Sequence, residues 1–168
     1  GSTNEDRQRA MPGDAAVTSP VYAATLAVTI DAPPDQVWPW LAQIGYRRGG
    51  LYSYDWLDRL FGYLDGPSAT RILPEHQGLK AGDEIPMGRG PGFPVTLVDA
   101  PRALVMSGQA NGAAWAWQFG LYPTGAGTRL VSRNLVRVPR GPGPWLFMRV
   151  IEPAAFLMTR RMLLGVRQ

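Results

Sequence analysis

Residues 22–45 read YAATLAVTIDAPPDQVWPWLAQIG, and this stretch decides the fold. Tyr22, Ala24, Leu26, Val28 and Ile30 share one face, with Thr25 and Thr29 opposite, the period-two pattern of a half-buried strand. Asp31-Ala32-Pro33-Pro34-Asp35 then turns the chain into a helix. Pro34 suits the first helical turn, where its missing N–H would have no intrahelical partner. Val37, Trp38, Leu41 and Ile44 recur at helical spacing; Pro39 inside that pattern predicts a helix that is short or starts late, and Gly45 ends it.

Working outward, Arg47-Arg48-Gly49-Gly50 forms a loop. A second short helix is expected near Tyr54 to Phe61, presenting Trp56, Leu57, Leu60 and Phe61 before Gly62. The chain then becomes a run of short strands: Thr70–Pro74, Asp83–Met87, Phe93–Asp99, Leu104–Gln109, Trp115–Tyr122 and Thr128–Val138. Gly, Pro and Asn punctuate the gaps, the mark of an antiparallel meander. Gly141 to Pro144 breaks the pattern and starts the last element. Trp145 to Ile151 is apolar apart from Arg149, and Pro153 fits the first turn of a helix with Glu152 near its positive end. Ala155, Met158, Met162 and Val166 make one helical stripe, while Arg160, Arg161 and Arg167 lie late, where cations complement the dipole. The order predicts an α+β domain: a curved antiparallel sheet of about six to seven strands, two short helices, and a long C-terminal helix closing one face. A helix across a curved sheet leaves room for a ligand between them.

The chain has 168 residues, one domain's worth, with 45% hydrophobic and 18% charged content. Residues 1–20 are expected as a tag scar (Gly1-Ser2) and a partly mobile lead-in, with a single domain over 21–168. The absence of cysteine excludes disulfides and thiolate chemistry. No stretch reaches the ~20 apolar residues of a membrane span. The net charge of +4 is uneven: residues 1–128 hold nine Arg/Lys against twelve Asp/Glu, residues 129–168 eight Arg against Glu152 alone. That basic end suits an anionic lipid surface or a solvated strand and helix face. No zinc-ligand spacing, phosphate loop or RNA-binding aromatic motif supports nucleic acid as a partner.

Together, residues 27–45 (AVTIDAPPDQVWPWLAQIG), 47–58 (RRGGLYSYDWLD), 69–87 (ATRILPEHQGLKAGDEIPM), 128–138 (TRLVSRNLVRV) and 152–166 (EPAAFLMTRRMLLGV) resemble the START/Bet v 1-like (SRPBCC) superfamily, within a poorly characterised bacterial branch. The resemblance spans roughly residues 12–167 and implies the helix-grip fold. It implies little about activity, since such proteins include lipid and hormone carriers, polyketide aromatase/cyclases, oxygenase domains and chaperone co-activators. Some members of the similar branch carry a membrane segment before the PGD lead-in, so the resemblance leaves the chain either cytoplasmic or the soluble part of an anchored protein.

Trp115, Trp117, Phe119 and Leu121 alternate on one face of a strand, too much apolar surface to face water. They are either plain core or a cavity wall, with Phe93, Val95, Met106, Met158 and Met162 as its other surfaces. Methionine adapts to irregular apolar shapes but fills cores equally well. On the next strand, Arg129, Arg133 and Arg137 facing water would turn Ser132 and Asn134 inward, where the amide needs a partner. Tyr52 and Tyr54, beside Arg47 and Arg48, suit a pocket mouth, and Asp55 suits the N-cap of the second helix or an arginine partner. His76 is the only histidine; no nucleophile motif or metal triad accompanies it, so no metal or other cofactor is expected.

Three readings follow. One is a binding or carrier domain for a small hydrophobic molecule, lipid-like or polycyclic, lined by Tyr52, Tyr54, Phe93, Met106, Trp115, Trp117, Phe119, Asn134, Met158 and Met162. The second is a cyclase, dehydratase or isomerase in the same cavity, using Tyr54, Asp55, His76 and Asn134. The third is a membrane-surface or protein-interaction module at the basic C-terminal end, with Trp145, Phe147 and Arg149.

Overall fold

The computed structural model describes residues 1–60 and 62–166, with side chains described for all of these except residues 57, 145, 147–152 and 154–156. In chain order the elements are α1 (Asn4–Gln8), a 3-10 turn (Asp14–Ala16), β1 (Tyr22–Ile30), α2 (Pro34–Ala42), α3 (Asp55–Leu60), a second 3-10 turn (Pro74–His76), β2 (Glu84–Ile85), β3 (Phe93–Asp99), β4 (Ala103–Ala110), β5 (Ala113–Thr124), β6 (Gly127–Arg137) and α4 (Pro142–Val166). The six strands form one antiparallel sheet in the order β1-β6-β5-β4-β3-β2. This is the curved antiparallel sheet with a C-terminal helix that the alternation predicts, and the helix-grip arrangement that the resemblance implies.

The β4–β5 hairpin turns through Asn111 and Gly112, both at positive φ, the two-residue turn whose twist matches that of paired strands. Inward residues of β1, β4, β5 and β6 (Leu26, Leu104, Phe119, Leu121, Leu130) join Val37, Trp38 and Leu41 of α2 and Met162, Leu163 and Val166 of α4 in one apolar core. Pro39 is tolerated inside α2 because the carbonyl it deprives of a donor belongs to Asp35, in the exposed first turn.

Several expectations change. Thr70–Pro74 is not a strand: its backbone bonds go to a side chain, with Leu73 N–H donating to Gln43 Oε1 (2.8 Å) and Arg71 C=O accepting from Gln43 Nε2 (3.1 Å). Pro153 does not start the last helix but lies inside α4, which begins eleven residues earlier at Pro142. The expected strand at Asp83–Met87 shortens to β2. Phe61, the expected end of the second helix, lies outside the described residues.

The largest difference is on the sheet's outer face. Residues 3–18, read as a lead-in, dock there as a strap. Thr3 and Asp6 form a reciprocal capping box on α1. Arg129, Arg133 and Arg137 therefore meet the strap instead of water. Arg133, 6% exposed, donates to the carbonyls of Asp6 (2.9 Å), Arg7 (3.0 Å) and Arg9 (2.9 Å), to the Asp14 carboxylate (2.8 Å) and to Thr25 Oγ1 (3.1 Å). Arg129 pairs with Asp6 at 2.6 Å, and Arg137 donates to Thr18 Oγ1 at 2.7 Å. Buried Gln118 of β5 completes the clamp, donating to Asp14 Oδ1 and accepting from Gly13 N–H, both at 2.8 Å. Beneath it, Met11 packs with Ala27 and Val131, and Val17 with Ala114, Ala116 and Leu135.

Candidate functional site: the open end of the concave face

Alternation sends Trp115, Trp117, Phe119 and Leu121 to the concave face of β5. Their cross-strand partners on β6 are Val136, Asn134, Ser132 and Leu130, and on β4 Gly108, Met106 and Leu104 face Trp115, Trp117 and Phe119. Burial falls off in step across all three strands. Leu121, Leu130, Phe119, Ser132 and Leu104 are buried; Trp117, Asn134, Trp115, Val136 and Gly108 are half-buried, with Met106 still fully buried in the floor. Among the described residues the concave face is filled at one end by α2 and the C-terminal turns of α4, and at the other the indoles of Trp115 and Trp117 stay half-buried.

Phe93 of β3 extends this wall. Its ring centroid lies 4.8 Å from that of Trp115 and 6.1 Å from that of Trp117, which in turn lies 5.1 Å from Phe119. Such offset and edge contacts fix ring positions beyond simple burial. Trp115 lies flat over Gly108, where an added Cβ would fall 2.9 Å from the indole nitrogen. Glycine inside a strand here marks a close approach that a side chain would block. Trp117 Nε1–H donates to Ser132 Oγ at 3.0 Å. Ser132 and Asn134 both point inward as expected, and Asn134 makes no side-chain hydrogen bond among the described residues. Its amide stands beside Trp117 with donors and acceptor free.

The other expected lining residues occupy different depths. Met162 is buried in the core under α4 and Met158 is half-buried one turn earlier. Tyr52 is buried, edge-on to Trp40 at 5.9 Å, with its hydroxyl accepting from Gln43 Nε2 at 2.8 Å. Burial pushes its phenol up to about 12, against the opposing pull of the Gln43 hydrogen bond. Tyr54 is 40% exposed, with the Arg161 guanidinium of α4 5.7 Å from its ring centre. Among the described residues the Asp55 carboxylate pairs with no arginine; it accepts from Ser68 N–H (3.0 Å) and Oγ (2.7 Å). His76 sits in the second 3-10 turn, where its carbonyl accepts from Arg48. No hydrogen bond joins Tyr54, Asp55, His76 and Asn134 to one another among the described residues. The side chains of Trp145, Phe147 and Arg149 lie outside the described residues.

Two polar clusters escape the sequence reading. Buried Gln43 ties Tyr52, Arg71, Leu73 and Gln77 together, while Arg48 donates to the carbonyls of Ala42 (2.7 Å) and Ile44 (3.1 Å) at the end of α2. Burial lowers the Arg48 guanidinium from its ordinary range. The second is Asp58 of α3: it is 0% exposed, neither carboxylate oxygen has a partner, and burial, then the nearby Asp55 charge, pushes it up to about 6. Gly108, isolated in a strand pattern, was the one sequence signal for the Trp115 platform. Among the described residues no three His, Asp or Glu side chains gather to hold a metal, and no helix is long and apolar enough to cross a membrane.

Solved structures share the architecture. Protein CV1439 from Chromobacterium violaceum superposes with a TM-score of 0.51 at 13% identity, over 87% of this chain and 95% of that one. The Polyketide_cyc-like protein Cgl2372 from Corynebacterium glutamicum gives 0.49 at 16% identity, over 87% and 89%. CalU16 from Micromonospora echinospora gives 0.45 at 16% identity, over 87% and 76%. No family model and no curated protein matches the sequence. The chain shares with CV1439 the α+β helix-grip fold, a curved antiparallel sheet with a C-terminal helix.

Proposed function

We propose that the half-buried end of the concave face binds a small hydrophobic molecule, lipid-like or polycyclic, as a carrier or receptor domain without chemistry of its own. The observation behind this reading is the joint fall in burial along β4, β5 and β6, which leaves two tryptophans and Phe93 partly uncovered on an inward face. Indole rings seated against Gly108 and hydrogen-bonded to Ser132 offer flat apolar surface, and the amide of Asn134 orients one polar group of the ligand. Tyr54 and Arg161 stand on the α3–α4 side of the domain and make a candidate rim. Ten methylenes at ~0.8 kcal/mol each suffice for roughly micromolar affinity.

The test is native mass spectrometry of the purified chain together with displacement of a fluorescent fatty acid and of a fluorescent polycycle. Trp115→Ala and Trp117→Ala are expected to weaken binding at least tenfold, and Asn134→Ala to weaken ligands bearing a hydroxyl or carbonyl more than bare hydrocarbons. Retention of no small molecule, with neither probe bound by the folded protein, overturns the reading.

A further inference from the structure

The sheet has two edges of unequal kind. β2 is two residues long and offers almost nothing to pair with, whereas β1 runs for nine residues with β6 on one side only. In an antiparallel pair, alternate residues point both N–H and C=O away from the partner. Along Ala23–Val28 these outward groups meet no backbone or side-chain partner among the described residues. α1 packs against β1 and so does α4, yet they leave a groove of about 520 Å³ along its edge. Val21, where the chain enters this edge, is 62% exposed.

Natural sheets blunt such an edge by shortening it, bulging it, covering it or placing charge on it. Here the strand is regular in register and its side chains along the groove are Ala, Thr, Leu and Val. Side-chain charge stands on the walls: Arg7 from α1 and Arg160 from α4, both exposed and neither in an ion pair among the described residues, while Gly1 with its amino terminus and Ser2 complete the lining. Half-buried Leu164 and Val28 add an apolar strip. A second copy pairing its own β1 here would bring four unneutralised arginines to one seam, so charge disfavours self-association.

We infer that the β1 edge is a docking site for an extended acidic peptide, which adds as a seventh strand, turning carboxylates to the outer face toward Arg7 and apolar side chains to the concave face toward Leu164 and Val28. Main-chain bonds supply affinity in this mode and alternate side chains supply selectivity.

The test uses ¹⁵N-labelled full chain and the blocked hexapeptide EVEVEV, with KVKVKV and an EVEVEV analogue N-methylated at alternate residues as controls. Amide shifts and slowed hydrogen exchange are expected within residues 23–28. Affinity should drop at least tenfold for either control, and the Arg7→Glu variant should prefer KVKVKV. Three outcomes overturn the inference: no shifts at millimolar EVEVEV, shifts confined to the concave face, or a dimer in sedimentation whose β1 seam the peptide does not compete for. A fluorescent fatty acid bound in the same samples reports the concave site separately, so each reading fails or stands alone.

Discussion

Replacing Arg133 by methionine keeps the aliphatic stem and removes every bond its guanidinium donates to the strap's clamp. The carbonyls of Asp6, Arg7 and Arg9 and Thr25 Oγ1 then lose this donor together, and the Asp14 carboxylate keeps only Gln118 Nε2 and Met11 N–H. At ~1.5–3 kcal/mol for each bond to a charged donor, simple addition exceeds ~7 kcal/mol. Two effects reduce that sum. The Asp14 side chain is 36% exposed, so water screens its share to about 1 kcal/mol or less. The strap is also a surface segment, so its carbonyls regain water by lifting off without unfolding the sheet. The expected loss is therefore ~3–5 kcal/mol, the range for removing one partner of a buried ion pair. It should appear first as local opening: exchange of amides in residues 3–18 rises by about 10²–10³-fold, since ~1.4 kcal/mol is tenfold, while β4 and β5 amides change far less. Hydrogen exchange by mass spectrometry and urea unfolding followed by tryptophan fluorescence measure the two parts. A loss under ~1 kcal/mol with unchanged exchange in the strap would refute the clamp.

Asp6 is held down to about 2 chiefly by its hydrogen bond from Arg129. A depressed carboxyl stabilises the fold above its ordinary pKa near 3.8 and loses that contribution as pH falls toward 2; the shift corresponds to ~2 kcal/mol. Acid unfolding of Arg129→Met should therefore differ from the parent above pH 4 and converge with it near pH 2. Asp58 has the opposite sign. Its raised pKa favours folding while the group is protonated, and that advantage is lost as pH rises from about 4 through about 6. Asp58→Asn should raise stability at pH 7 by ~1–3 kcal/mol and change little at pH 4, read from urea midpoints at the two values; equal effects at both would contradict the burial argument. Gly108→Ala should push Trp115 off the sheet at a cost of ~1–3 kcal/mol, with a shifted fluorescence maximum, whereas an unchanged spectrum and midpoint would show the indole has room.

The sheet was legible because its faces alternate cleanly. Trp115 to Leu121 and Leu130 to Val136 fix which way each strand turns, and Asn111-Gly112 marks the hairpin between β4 and β5. The candidate wall was legible for the same reason. The half-buried end was not, because alternation sorts side chains by face and says nothing about how deeply each one is covered. Arg129, Arg133 and Arg137 looked like a solvated strand face; their partners lie more than a hundred residues earlier, in a polar segment whose only local signal is the Thr3–Asp6 capping box. Thr70–Pro74 has strand-like composition, but its donors and acceptors are consumed by Gln43. Pro153 fits a helix start and, with no neighbour to betray the preceding turns, concealed that α4 had already begun.

The pairing of Tyr22 with Val136 places the two strands 114 positions apart. At ~5–20 residues per second of synthesis, β1 leaves the ribosome about 6–23 s before its only partner exists. The β4–β5 and β5–β6 hairpins form as they emerge, while β1 waits with both edges bare and the strap has no arginines to hold it. Closing so long a loop raises the contact order and slows folding. Released fragments ending before residue 128 should therefore show a protected β4–β5 hairpin, an unprotected first strand, and a heightened demand for chaperones that shield extended segments.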